Sequence, residues 1–191
     1  MLNSVTGAAD RPRTRLSPAE RRRQLLGIGL RMYVERPALE LSLDEVAREA
    51  EVSRGLLFHY FPTKADYHRA VIAAAGRRVL RNVRPDEEAT GQDALRQLTE
   101  RFLAQIVRRH AFYLALVYGQ AGPLADLAEP GATATTLRAG IAELVCRAVP
   151  TDPAVAHAWV AYVEDRALHL RRDDRAEVDH CVAALAALAE V

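Results

Sequence analysis

The chain of 191 residues is 50% hydrophobic, 27% charged and 6% aromatic, enough for one ordinary core and a small second module and too short for a large multidomain enzyme. Its 26 basic residues, all arginine except Lys64, balance 25 acidic ones, which excludes an acidic disordered chain and a wholly basic one. The longest apolar runs fall short of a membrane span, no apolar segment follows Arg11, Arg13 and Arg15 as a secretory signal requires, and Cys146 and Cys181 form neither a zinc spacing nor a disulfide framework, so a soluble cytoplasmic protein is expected.

Residues 1–16 read as a flexible basic arm. Residues 1–70 carry 12 Lys and Arg against 9 Asp and Glu, a balance of +3, whereas the rest carry 14 against 16, a balance of −2. A basic end on a neutral chain suggests an anionic partner there, with a solvating tail as the plain alternative. Ser17-Pro18-Ala19-Glu20 opens the first helix with a capping box and proline in the first turn. Leu25, Leu26, Gly29, Met32 and Tyr33 form its inner stripe, and Pro37 ends it. Ser42-Leu43-Asp44-Glu45 starts a second helix that turns Val46, Ala47 and Ala50 inward. Ser53 caps a third from Arg54, and Thr63-Lys64-Ala65-Asp66 opens a fourth with Tyr67, Ala70, Val71 and Ala74 inside. After residues 85–88, a helix carries Leu95, Leu98, Phe102 and Ile106, and residues 112–118 are almost wholly apolar. Glycines and prolines break residues 119–135, predicting a short helix or irregular chain. Three helices complete the chain: one with Leu137, Ile141, Leu144 and Val145, one from Asp152-Pro153, and one from about Asp174. The pattern is all-α, about nine helices, without strand-type alternation or internal repeats.

Two short helices joined by Glu51-Val52 match a helix-turn-helix. Val46, Ala47, Val52 and Leu57 close the angle, leaving Arg54, Gly55, Leu56, Phe58 and His59 outward. Exposed Leu56 and Phe58 suit thymine methyls, and Arg54 suits a guanine edge. Tyr60, Thr63 and Lys64 lie where hydroxyls, an ammonium and helix N-terminal N–H groups favour phosphate. The plain alternative is a three-helix core piece with Leu56 and Phe58 buried.

The stretch Ser42-Leu43-Asp44-Glu45-Val46-Ala47-Arg48-Glu49-Ala50, followed by Val52-Ser53-Arg54-Gly55-Leu56-Leu57-Phe58-His59-Tyr60-Phe61-Pro62-Thr63-Lys64, resembles the N-terminal DNA-binding domain of the tetracycline-repressor (TetR) family of transcriptional regulators. The resemblance covers residues 17–72. It implies a homodimer, a divergent ligand-binding C-terminal domain over 73–191, and operator binding that a small molecule relieves. By position, Ser42 and Ser53 would reach phosphate, and Arg54, Gly55, Leu56 and Phe58 would face bases. His59, Tyr60, Thr63 and Lys64 would hold the backbone, with Leu57 and Phe61 in the core. Two departures stand out: Arg36-Pro37 and Glu51 occupy positions where the family often has glycine. If the turn requires positive φ, Glu51 costs about 1 kcal/mol relative to glycine.

No catalytic constellation is found. Gly27-Ile28-Gly29 lacks a third glycine and lies within an amphipathic helix, and no nucleophile elbow, P-loop or paired-histidine motif occurs. His157, His169, His180 and Cys181 are read as satisfied or solvated side chains, so neither metal nor cofactor is expected beyond an unidentified small-molecule effector. Phe102, Arg109, Phe112, Tyr113, Tyr118, Gln120, Trp159 and Tyr162 are the candidate pocket lining, with ordinary core as their plain alternative. Val155, Trp159, Val163, Val178, Val182, Leu185 and Leu188 on the last two helices are the expected dimer stripe. A dimeric repressor of a near-palindromic double-stranded DNA operator is the expected function. A helical ligand-sequestering or protein-interaction module that has lost DNA binding is the alternative.

Overall fold

The computed structural model describes residues 16–35, 42–111, 113, 132–170 and 175–190. Among them the regular structure is helical: α1 (Pro18–Glu35), α2 (Leu43–Glu49), α3 (Arg54–Tyr60), α4 (Lys64–Val83), α5 (Gly91–Arg108), α6 (Ala132–Ala148), α7 (Pro153–His169) and α8 (Arg175–Ala189). The arm, Arg36-Pro37 and residues 112 and 114–131, including Phe112, Tyr118 and Gln120, lie outside the described residues. Residues 132–135, expected as part of the irregular stretch, belong to α6.

Hydrogen bonds meet the helix-start signals. The Ser17 backbone donates to Glu20 Oε2 at 2.8 Å, and Glu20 N–H returns to Ser17 Oγ at 3.3 Å. Thr63 and Asp66 form the same reciprocal box at 3.1 and 3.0 Å, and Ser53 Oγ accepts from Leu56 N–H at 3.2 Å. Asp152 caps α7 through Ala154 N–H at 2.7 Å, with Pro153 first in the helix. Each cap satisfies donors that the helix start leaves unpaired.

Two apolar clusters organise the packing. The first joins α1–α3 to the start of α4 through Leu25, Ile28, Val46, Leu57, Phe61 and Tyr67. The second joins the rest of α4 to α5–α8 through Val79, Leu98, Phe102, Ile141, Trp159 and Cys181. Leu30 and Ile72 pack against both, and α4 runs through both, with Val71 in one and Ala75 in the other. The crossing of α1 over α4 is close. A Cβ at Gly29 would stand 2.4 Å from Tyr67 Oη and 2.7 Å from Val71 Cγ2, so only glycine permits it. At that crossing Tyr67 Oη donates to the Leu25 carbonyl at 2.8 Å.

This packing divides the expected dimer stripe. Trp159, Val163, Val178 and Leu185 are buried within the protomer's own second core, where Trp159 Nε1 donates to the Cys181 carbonyl at 2.7 Å. Val155, Val182 and Leu188 pack partly against the same core. Helical periodicity finds an apolar face without saying which neighbour covers it. For Trp159, Val163, Val178 and Leu185 that neighbour is the chain itself, whereas Val155, Val182 and Leu188 stay half-buried.

Candidate nucleic-acid interface

The interface is built from α2, its turn, α3 and the start of α4. Leu43, Val46 and Ala47 bury one face of α2. The helix ends in a Schellman turn: Val52 N–H donates to the Ala47 carbonyl at 2.9 Å and Glu51 N–H to the Arg48 carbonyl at 3.1 Å. Glu51 takes the left-handed position of that turn, with φ 53°. The turn does require positive φ, and a glutamate supplies it against its conformational preference.

On α3, Leu57 is fully buried and anchors the helix, while Ser53, Arg54, Gly55, Leu56 and His59 are exposed. Leu56 and Leu16 are the exposed large hydrophobic side chains among the described residues. A Cβ on Gly55 would meet nothing nearer than Ser53 Oγ at 3.9 Å, so the fold itself leaves space there. Phe58, expected outward with Leu56, is half-buried and packs against the N-terminal core. Its ring supports the Arg54 guanidinium, 5.4 Å away.

Arg54 is held from two sides. Its Nη1 donates to Asp44 Oδ1 and Oδ2 at 3.0 and 3.1 Å, although both side chains are over 60% exposed. Asp44 therefore fixes the orientation of the Arg54 guanidinium. The sequence signal for it was confined to helix capping, because the Asp44–Arg54 pairing requires knowledge of the α2–α3 angle. Arg22 lies over the Phe61 ring at 5.0 Å and brings α1 charge beside the end of α3.

Past α3, Tyr60 is half-buried, with its ring edge-on to His59 at 5.5 Å. Thr63 and Lys64 are exposed at the start of α4. Ser42 caps α2 through Asp44 N–H at 3.2 Å. Of the candidate contact residues, Ser53, Arg54, Gly55, Leu56, His59, Thr63 and Lys64 are exposed, whereas Ser42, Phe58 and Tyr60 are half-buried.

Beneath this surface Tyr33 is hydrogen-bonded to His68 Nδ1, and His68 Nε2 is buried without a partner among the described residues. Burial first, and the Lys64 charge second, push the His68 pKa down to about 4, so the imidazole is neutral at pH 7.

In the C-terminal domain, Phe102, Tyr113 and Trp159 are buried core. Phe102 and Tyr113 meet edge-on at 6.2 Å. Tyr162 lines a cleft on the α7–α8 outer face with His180, Ala183, Ala184, Ala187 and Leu188, and its hydroxyl is hydrogen-bonded to His180 Nε2 at 2.5 Å. Arg109 follows α5 and borders a recess with Asn82 and Gln105. Sequence reasoning did not find the buried carboxylate Glu164. It accepts from Tyr113 Oη at 2.7 Å and from Arg138 Nε at 2.6 Å. Burial pushes its pKa up, while the Tyr113 hydrogen bond and the Arg138 charge oppose that shift. Among the described residues no helix is long and apolar enough to cross a membrane, and no group of three metal-binding side chains occurs.

A sequence model of bacterial regulatory proteins of the tetR family matches residues 25–71. The HTH-type transcriptional regulator LuxR of Vibrio harveyi is 43% identical over 58 residues, covering 30% of this chain and 28% of that protein, so the match spans under a third of that curated relative's length. The crystal structure of a tetR-family transcriptional regulator from Streptomyces coelicolor aligns with a TM-score of 0.70 at 26% identity, over 91% of this chain and 82% of that one. A TetR-like transcriptional regulator from Rhodococcus sp. RHA1 aligns with a TM-score of 0.56 at 26% identity, over 92% of this chain and 97% of that one. Residues 25–71 are therefore the N-terminal helix-turn-helix domain of the tetR family of bacterial regulatory proteins, and the chain carries that domain on an all-helical TetR-type fold.

Proposed function

We propose that this protein is a cytoplasmic, dimeric, sequence-specific DNA-binding regulator that represses transcription and leaves its operator when a small molecule binds. The observation that carries the reading is the exposed start of α3, where Arg54 is pre-oriented by Asp44 and Leu56 stands bare beside Gly55. An exposed leucine beside a fixed guanidinium fits base edges in a major groove. Residues 17–72 would read DNA, and residues 73–191 would dimerise and hold the effector without catalysing a reaction.

For the dimer, the candidate surface is the outer face of α7 and α8, which retains Leu188 of the expected stripe. Tyr162, Ala183, Ala184 and Ala187 border its shallow cleft, and small residues let helices of a second copy approach closely. The test is selection of bound duplexes from a random pool. The proposal expects a near-palindromic motif with half-sites about one DNA turn apart. Failure to enrich any sequence would favour the ligand-sequestering or protein-interaction alternative.

A further inference from the structure

We propose that the groove between α5 and α8 is a binding site for an amphipathic organic anion, with a carboxylate or phosphate head and a short apolar body. The groove has a volume of about 720 Å³ and a floor that includes Leu103 and Val178, both buried against the core. Arg96, Arg101 and Arg108 line it from α5 and Arg175 from α8, against the single lining carboxylate Glu100. Arg101 and Arg108 also line the adjoining recess of about 270 Å³ that contains Arg109. Two contiguous hollows therefore share a pair of guanidinium groups.

Several of these charges are neutralised already. Arg96 pairs with Asp179, and Arg101 pairs with Asp86 at 2.6 Å while also donating to the Arg84 carbonyl. Arg108 donates through Nε to its own helix carbonyl at Ala104, 3.2 Å away. Among the described residues neither Arg108, Arg109 nor Arg175 is ion-paired to a carboxylate. Among the described residues the site thus holds more guanidinium than carboxylate charge, beside the apolar edges of Leu103 and Val178. Guanidinium forks match carboxylate and phosphate oxygens in pairs, and the floor favours an apolar body over water. This groove lies on a different side of α8 from the Ala183–Ala187 face proposed for the dimer.

The proposal rests on the regulator reading only in making the anion an effector; binding itself is measured without DNA. The probes are octyl phosphate, octanoate and neutral octanol, titrated calorimetrically into the full chain. Saturable binding of either anion, but not of octanol, is expected, and their relative affinity identifies the preferred head. Arg108→Gln and Arg175→Gln should each weaken anion binding about tenfold, the loss expected for one charge-assisted contact, with unchanged unfolding midpoints because neither breaks an internal ion pair. Glu100→Gln should tighten it. Absence of saturable anion binding at millimolar concentration, equal binding of octanol, or unaltered affinity in both arginine variants would overturn the proposal.

Discussion

At Glu51, local conformational preference and the turn disagree. The Schellman hydrogen bonds fix φ at 53°, and a side chain with a Cβ resists that region. Glu51→Gly should raise stability by up to about 1 kcal/mol, the left-handed relief exceeding the added entropy of the unfolded chain. A denaturant midpoint below that of the parent protein would contradict this. Removing the carboxylate should also strengthen DNA binding. The strain was legible from the sequence because turn positions of this type favour glycine; Asp44's grip on Arg54 was not, since it joins side chains ten positions apart across an interhelical angle. His68 gives a pH signature. The unfolded chain takes up its proton near the ordinary imidazole value of about 6.5, whereas the folded site does so only near about 4. His68 therefore contributes stability that is complete above pH 6.5 and is lost as pH falls towards 4. Between pH 7 and pH 5 the loss should be on the order of 1–2 kcal/mol by urea unfolding, and smaller in His68→Gln. An identical slope in that variant would assign the acid sensitivity to other groups.

At the scale of elements, helix starts were the most legible feature, because a cap needs only residues three or four apart. Thr63 with Asp66 and Ser17 with Glu20 form bonds that their spacing alone dictates. Helix faces were legible less completely. Periodicity marks the stripes on α7 and α8 but not whether another helix of the same chain covers a given residue of them. Trp159 sealed against α8 shows that it does. Contacts between distant elements, such as the Arg138–Glu164 pair that joins α6 to α7, leave no local trace in sequence. Glu164 is fully buried while Arg138 remains partly exposed, so the arginine supplies the main counter-charge to a buried carboxylate. Arg138→Met should cost roughly 3 kcal/mol, whereas Arg147→Met, which loses only a surface pair with Glu143, should cost under about 1 kcal/mol. Similar unfolding midpoints for the two variants would show that Glu164 finds another way to be neutralised.

Over the whole molecule, α4 connects the candidate reading surface to the C-terminal core. It begins at Thr63-Lys64 and packs against α1, α5 and α6, and a Cβ at Gly140 of α6 would stand 2.8 Å from Leu80. Such close packing joins a displacement near Val79 and Leu80 to the helix that begins at Thr63-Lys64. A coupling of about 1–3 kcal/mol would lower operator affinity roughly 5–150-fold. The proposed dimer, which would set half-site spacing, is tested by Ala187→Glu, at an exposed position on the α7–α8 outer face. Light scattering should then find monomers with tight operator binding lost and helicity retained; a surviving dimer would place the interface elsewhere. Substitution of Leu185 would not discriminate, because that side chain is part of the protomer's core. The central claim, that α3 reads base sequence while the start of α4 grips the backbone, is tested most directly by competition binding of Arg54→Ala and Lys64→Ala across operator variants and salt concentrations. Arg54→Ala should relax preference at one base position per half-site, costing about 1–3 kcal/mol. Lys64→Ala should weaken binding to all sequences alike and reduce the salt slope by about 1. Sequence preference left unchanged by Arg54→Ala would contradict this orientation of the recognition helix.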